Sequence, residues 1–166
     1  MKRILAILAI SASPIFGFSQ DLSGLWQGTV YNEDTKESLQ YEVYVTKNKG
    51  KFTGVSHTWF MIDGKKYFGV KNIQVRVAKD KKIVFQDDKL IADDYPILPP
   101  KKVRQLNVMD IGGDEASLEG YFVTIPTKDY KELTGKVSLK KVSELSQSDL
   151  MNFLHKNDNL VATASK

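Results

Sequence analysis

Few side chains in this sequence could do chemistry. His57 and His155 are its two histidines, and it has no cysteine, so thiol nucleophiles, thiolate zinc sites and disulfides are excluded. His57 shares a strand face with Val55 and Trp59, where an imidazole could bind a ligand, a haem iron or a proton, or be satisfied locally. His155 falls near the end of a segment with helical periodicity, where a cation interacts favourably with the helix dipole. Asp87-Asp88 and Asp93-Asp94 flank a strand end and could offer oxygens to calcium. Their spacing is not that of an EF-hand loop, which needs an internal glycine and a terminal glutamate, so solvated loop charges are the simpler reading. Asp87 is the exception: if Ile83 and Phe85 point inward, so does Asp87. A carboxylate inside the molecule requires a cation, such as Arg76 or Arg104, or it keeps its proton. No Gly-x-Ser-x-Gly elbow, phosphate loop, Gly-x-Gly-x-x-Gly or His-Glu-x-x-His is present, so no catalytic residue, cofactor or metal site is expected.

Aromatic residues are the remaining signal. Tyr41, Trp59, Phe60, Phe85, Tyr121 and Phe122 all fall in segments that read as strands. They are either core filler or the lining of an apolar cavity in which tyrosine hydroxyls, Asp87 and Arg104 orient a small ligand. The candidate ligand-binding set is thus Tyr41, His57, Trp59, Phe85, Asp87, Arg104, Tyr121 and Phe122.

The elements that must position these residues alternate with period two, the mark of strands with one buried face. Leu39, Tyr41, Val43 and Val45 oppose Gln40, Glu42, Tyr44 and Thr46. Asn48-Lys49-Gly50 turns the chain into a strand over 51–61, and Asp63-Gly64 favours a tight primed turn into a strand over 65–78. In that fourth segment Phe68 and Val70 keep one phase while Ile73, Val75 and Val77 keep the other, which predicts a β-bulge near Lys71-Asn72. A turn over 79–82 precedes a fifth strand over 83–91. Pro96, Pro99 and Pro100 make 93–102 a loop. Strands over 103–111, 116–125 and 133–142 follow. The sixth mixes polar and apolar residues on both faces, so its inward side cannot be read. Ser146 with Asp149 resembles a capping box, Leu145 and Leu150 sit at staple positions, and Leu150, Phe153 and Leu154 form one stripe. A helix over 147–156 follows, packed outside the sheet or across one end, with a disordered tail beyond it. The fold expected is all-β, an eight-stranded antiparallel up-and-down barrel with a C-terminal helix, with an open sandwich as its rival. Eight strands enclose an interior that side chains nearly fill or that holds one small ligand.

The first strand contributes a marker. Trp26 stands between Gly24 and Gly28 behind a turn, a large aromatic flanked by residues that permit close backbone approach, as expected of a ring plugging one end of a closed sheet. Gly24-Leu25-Trp26 resembles the Gly-x-Trp signature of lipocalins and avidin-like barrels, together the calycins. The resemblance implies a cup that buries a small hydrophobic ligand opposite the tryptophan. It also implies a cation stacked on that ring, for which Lys136 or Lys140 would substitute for the usual arginine, and a late-loop element approximated by Thr127-Lys128-Asp129-Tyr130.

The opening residues read as an address. Lys2-Arg3, an apolar run over 4–12 too short to span a bilayer and small residues at Gly17 and Ser19 describe a signal peptide over 1–19, a barrel domain over 20–142 and a helix with tail over 143–166. No cysteine follows the apolar run, so the expected product is periplasmic or extracellular and not a lipoprotein, with no transmembrane segment. Much of the formal charge of +4 belongs to Lys2 and Arg3. The remaining charges are interspersed, so nucleic acid is not an expected partner. The leading expectation is an exported lipocalin-like barrel that binds a small, largely apolar ligand without catalysis. The alternative is a cell-envelope interaction module with a filled barrel, contacting another protein through loops 93–102 and 127–132. A cavity-based cyclase or isomerase comes third.

Overall fold

The computed structural model describes residues 21–96, 103–145 and 147–157. The expected leader, part of the proline loop, the expected cap Ser146 and the expected disordered tail lie outside them. Eight strands, β1 (Gly24–Asn32), β2 (Ser38–Asn48), β3 (Lys51–Ile62), β4 (Lys65–Val77), β5 (Ile83–Asp93), β6 (Gln105–Ile111), β7 (Ser117–Thr124) and β8 (Thr134–Val142), precede one helix, α1 (Asp149–Lys156). Each strand pairs antiparallel with the next, and β1 pairs with β8, so the sheet closes into a barrel and the sandwich is set aside.

The two shortest hairpins follow from their turn residues. Lys49 and Gly50, and then Asp63 and Gly64, all take positive φ, as a two-residue primed turn requires. Gly24 also sits at positive φ, at +116°, where the chain enters β1. Gly28 lies so close to β8 that a Cβ would come 1.9 Å from the Ser138 carbonyl oxygen.

The barrel has two apolar clusters. The inner one joins Trp26, Val30, Tyr41, Val43, Val45, Ile73, Val75, Ile83, Phe85, Met109, Leu118, Phe122, Val137 and Leu139. The outer one joins Leu25, Val55 and Val70 on the barrel wall to Leu150, Met151 and Leu154 of α1. This second cluster explains the fourth strand. Phe68 and Val70 face outward beneath the helix while Ile73 and Val75 face inward, so β4 keeps one alternation along its whole pairing with β3. The irregularity expected near Lys71-Asn72 is real but belongs to the β4–β5 pairing: Val70 faces Ala92, Lys71 faces Leu90 and Ile73 faces Asp87, so both extra residues sit on β5.

The helix starts later than its sequence pattern suggests. Its N-cap is Ser148, whose Oγ accepts from Met151 N at 3.0 Å, and Leu145 is 40% exposed instead of stapling Leu150. Eight residues are too few for a helix to stand alone in water, so α1 depends on what it docks against. Glu42 on β2 supplies much of that: its Oε2 accepts from Ser148 Oγ at 2.9 Å and Leu150 N at 2.7 Å, and its Oε1 accepts from Gln27 Nε2 at 2.7 Å.

No helix among the described residues is long and apolar enough to cross a membrane.

Candidate functional site inside the barrel

One end of the barrel is sealed. Trp26 is fully buried and donates from Nε1 to the Leu22 carbonyl at 2.9 Å, and Lys141 Nζ lies 5.6 Å over its ring while donating to Asp21 O at 2.9 Å. Lys141, not Lys136 or Lys140, therefore takes the stacking position, because inward phase on β8 runs through Val137 and Leu139 to residue 141. Above the tryptophan, Val43, Val45, Phe85, Met109, Leu118 and Leu139 expose at most 1% of their surface, so side chains fill that half.

The other half is polar. Asp87 does continue the inward face of Ile83 and Phe85, and it is buried. Its cation is neither Arg76, which donates to Gln86 at 2.7 Å, nor Arg104, whose guanidinium lies 3.9 Å from Asp88. It is Lys71, whose Nζ donates to Asp87 Oδ2 at 2.5 Å from the inward face of β4. The same oxygen accepts from Gln105 N at 3.2 Å, so a side chain receives the first amide of β6. Gln105 Nε2 donates to Asn107 Oδ1 at 2.8 Å, and Asn107 Nδ2 donates to the Tyr41 hydroxyl at 3.3 Å and to Phe85 O at 3.4 Å. A chain of polar groups thus crosses the interior from β4 to β2.

Two hydroxyls join this floor: that of Tyr95 has no hydrogen-bond partner among the described residues, and that of Ser56 has the Tyr41 hydroxyl within reach. Ser56 Oγ, on the residue paired with Lys71, is buried, and so is the Tyr95 hydroxyl. Tyr95 follows β5 and folds back over the interior: its ring meets Phe60 edge-on at 5.5 Å, and its hydroxyl occupies the space a Cβ on Gly69 would need, 1.9 Å away. Burial, and next the charge of Asp87, hold the Tyr41 and Tyr95 phenols above their ordinary value, with Asp93 and Asp94 adding to the effect at Tyr95.

The sequence-derived set divides accordingly. Tyr41, Phe85, Asp87 and Phe122 meet inside the barrel. His57 and Trp59 do share a face, but it is the outer one near α1: their rings lie 4.0 Å apart, with Phe68 at 5.4 Å from His57. Burial depresses the His57 imidazole below its ordinary value, against the opposing charges of Glu42 and Asp149. Tyr121 points outward and is 58% exposed, and Arg104 lies at the rim. Sequence reasoning missed Lys71, Ser56, Gln105, Asn107 and Tyr95. Lys71 is in phase with Ile73 and Val75, which was the available signal.

These features define a class: a closed eight-stranded antiparallel barrel, sealed at its Trp26 end, with a charged and hydroxylic floor in the other half. No protein-family model matches the chain, and no curated protein matches it. Among solved structures, a redesigned β-barrel is similar over 74% of this chain and 92% of its own, at 19% identity and a TM-score of 0.43.

Proposed function

We propose that this chain is an exported, lipocalin-like barrel that binds one small ligand in the half away from Trp26 and performs no catalysis on it. The observation that carries the reading is the polar floor: an ion pair, two carboxamides, the Ser56 hydroxyl and the unpartnered Tyr95 hydroxyl set at the base of that half. Polar groups are costly to bury, and convergent ones in a mainly apolar enclosure are what orient a bound molecule. Because side chains fill the Trp26 half, the ligand sits above Tyr41 and is small, with an apolar body against Phe60, Phe122 and Leu133 and a polar atom toward the floor. Asp87 is engaged by Lys71 and Gln105 N, which suits a structural charge better than a base. Export rests on Lys2-Arg3 and the apolar run behind them.

A second reading has its own observation. Tyr121, midway along β7, and Ile125, beside the 127–132 loop, are exposed on the outer wall by 58% and 43%, as an interaction module would present them. A thermal-shift screen of the purified protein with neutral lipids, sterols and small carbonyl compounds separates the two. Stabilisation that Ser56→Ala weakens and Tyr121→Ser leaves intact supports the ligand site. No stabilisation by any compound supports the module.

A further inference from the structure

Resting on the ligand reading, the donor and charge balance of the floor says what the polar atom of the ligand must be. Donors remain unspent there, chiefly the two Lys71 N–H groups not directed at Asp87 and the Tyr95 hydroxyl. Asp87 Oδ2 already receives Lys71 and Gln105 N, Asn107 Oδ1 receives Gln105 Nε2, and Tyr41 receives Asn107 Nδ2. The Tyr95 hydroxyl has no hydrogen-bond partner among the described residues, the Ser56 hydroxyl has only the Tyr41 oxygen within reach, and an ammonium carries three N–H groups where Lys71 directs one at Asp87. The charges, by contrast, already cancel. Lys71 and Asp87 neutralise each other with side-chain exposures of 16% and 6%, and the other floor residues named above, Tyr41, Ser56, Tyr95, Gln105 and Asn107, carry no formal charge.

We propose that the site takes an uncharged ligand presenting a carbonyl oxygen, such as a ketone, ester or amide, to Lys71 Nζ and the Ser56 hydroxyl. A carboxylate would meet the same donors but leave a net negative charge buried beside Asp87, at a cost that its hydrogen bonds do not recover. The phenols of Tyr41 and Tyr95 register that negative potential, since the charge of Asp87 helps hold both in the neutral form. An amine fares no better, because Lys71 already occupies the cation position, 5.9 Å over Phe60 and against Asp87.

The test is calorimetric titration of the purified full chain with four probes of one chain length, 2-octanone, octanoate, octylamine and octane, repeated on Ser56→Ala. 2-Octanone is expected to bind about tenfold or more tighter than octanoate and octylamine, and Ser56→Ala to weaken it by about fivefold. Octane binding should not respond to that substitution, which separates lost recognition from a loosened barrel. Octanoate or octylamine binding best overturns the inference, and so do four probes binding alike; in both cases the ligand reading survives. If none of the four binds, both fall.

Discussion

Glu42 and Leu150, 108 residues apart in sequence, meet in a 2.7 Å hydrogen bond in which a carboxylate on the barrel wall accepts a first-turn amide of α1. With Ser148 Oγ on the same oxygen, Glu42 acts as a cap supplied from another element, and it fixes where the helix begins. Replacing Glu42 with Ala strands the Ser148 hydroxyl, the Leu150 amide and the Gln27 amide together. We expect a loss of about 2 kcal/mol or more, with faster amide exchange concentrated in α1. Unchanged exchange at Leu150 to Leu154 would show that apolar contacts alone dock the helix.

Trp26 tests the sealed end. Its indole is fully buried and its N–H satisfied by Leu22 O, so Trp26→Ala removes packing and leaves a carbonyl without its donor. The expected loss in denaturant unfolding is about 3 to 5 kcal/mol. Lys141→Ala should cost about 1 kcal/mol or less, because an exposed cation over a ring contributes little. A Trp26→Ala loss below about 1 kcal/mol would mean the ring seals nothing.

The buried pair makes an asymmetric prediction. Lys71→Met leaves Asp87 without its cation and should cost about 3 to 5 kcal/mol, whereas Lys71→Met with Asp87→Leu should recover much of that loss. A double-mutant cycle measures it. Additive single and double losses would contradict the pairing.

His57 predicts a pH limb. Its folded-state value is depressed, so the unfolded chain binds more protons as pH falls below the ordinary imidazole value of about 6.5, and stability drops with it. Tm should therefore fall from about pH 7 to about pH 5, and His57→Gln should flatten that fall. An identical slope in the variant would remove His57 from the account.

The barrel was legible in the sequence because each device that builds it is local. Alternation in β2, the positive-φ pairs at Lys49-Gly50 and Asp63-Gly64, and the Gly24-to-Trp26 entry each act within a few residues. What was not legible depends on distant partners. The apparent change of phase in β4 arises because α1, some 80 residues later, makes the outer face apolar as well. The same misreading concealed Lys71, which looked like the centre of a bulge and is the cation of the buried ion pair. The inward side of β6 could not be chosen because Gln105 and Asn107 are themselves the polar interior. Ser148 could not be told from Ser146 as the cap without Glu42.

The central claim, one small ligand above the floor of Lys71, Asp87 and Ser56, is tested most directly by native mass spectrometry of the protein purified gently from its own host. The account predicts a single additional mass at one per chain, released on denaturation as an uncharged carbonyl compound and depleted by Ser56→Ala. A bare chain mass, with the Ser56→Ala protein indistinguishable from it, would contradict the account and turn attention to the outer wall at Tyr121 and Ile125.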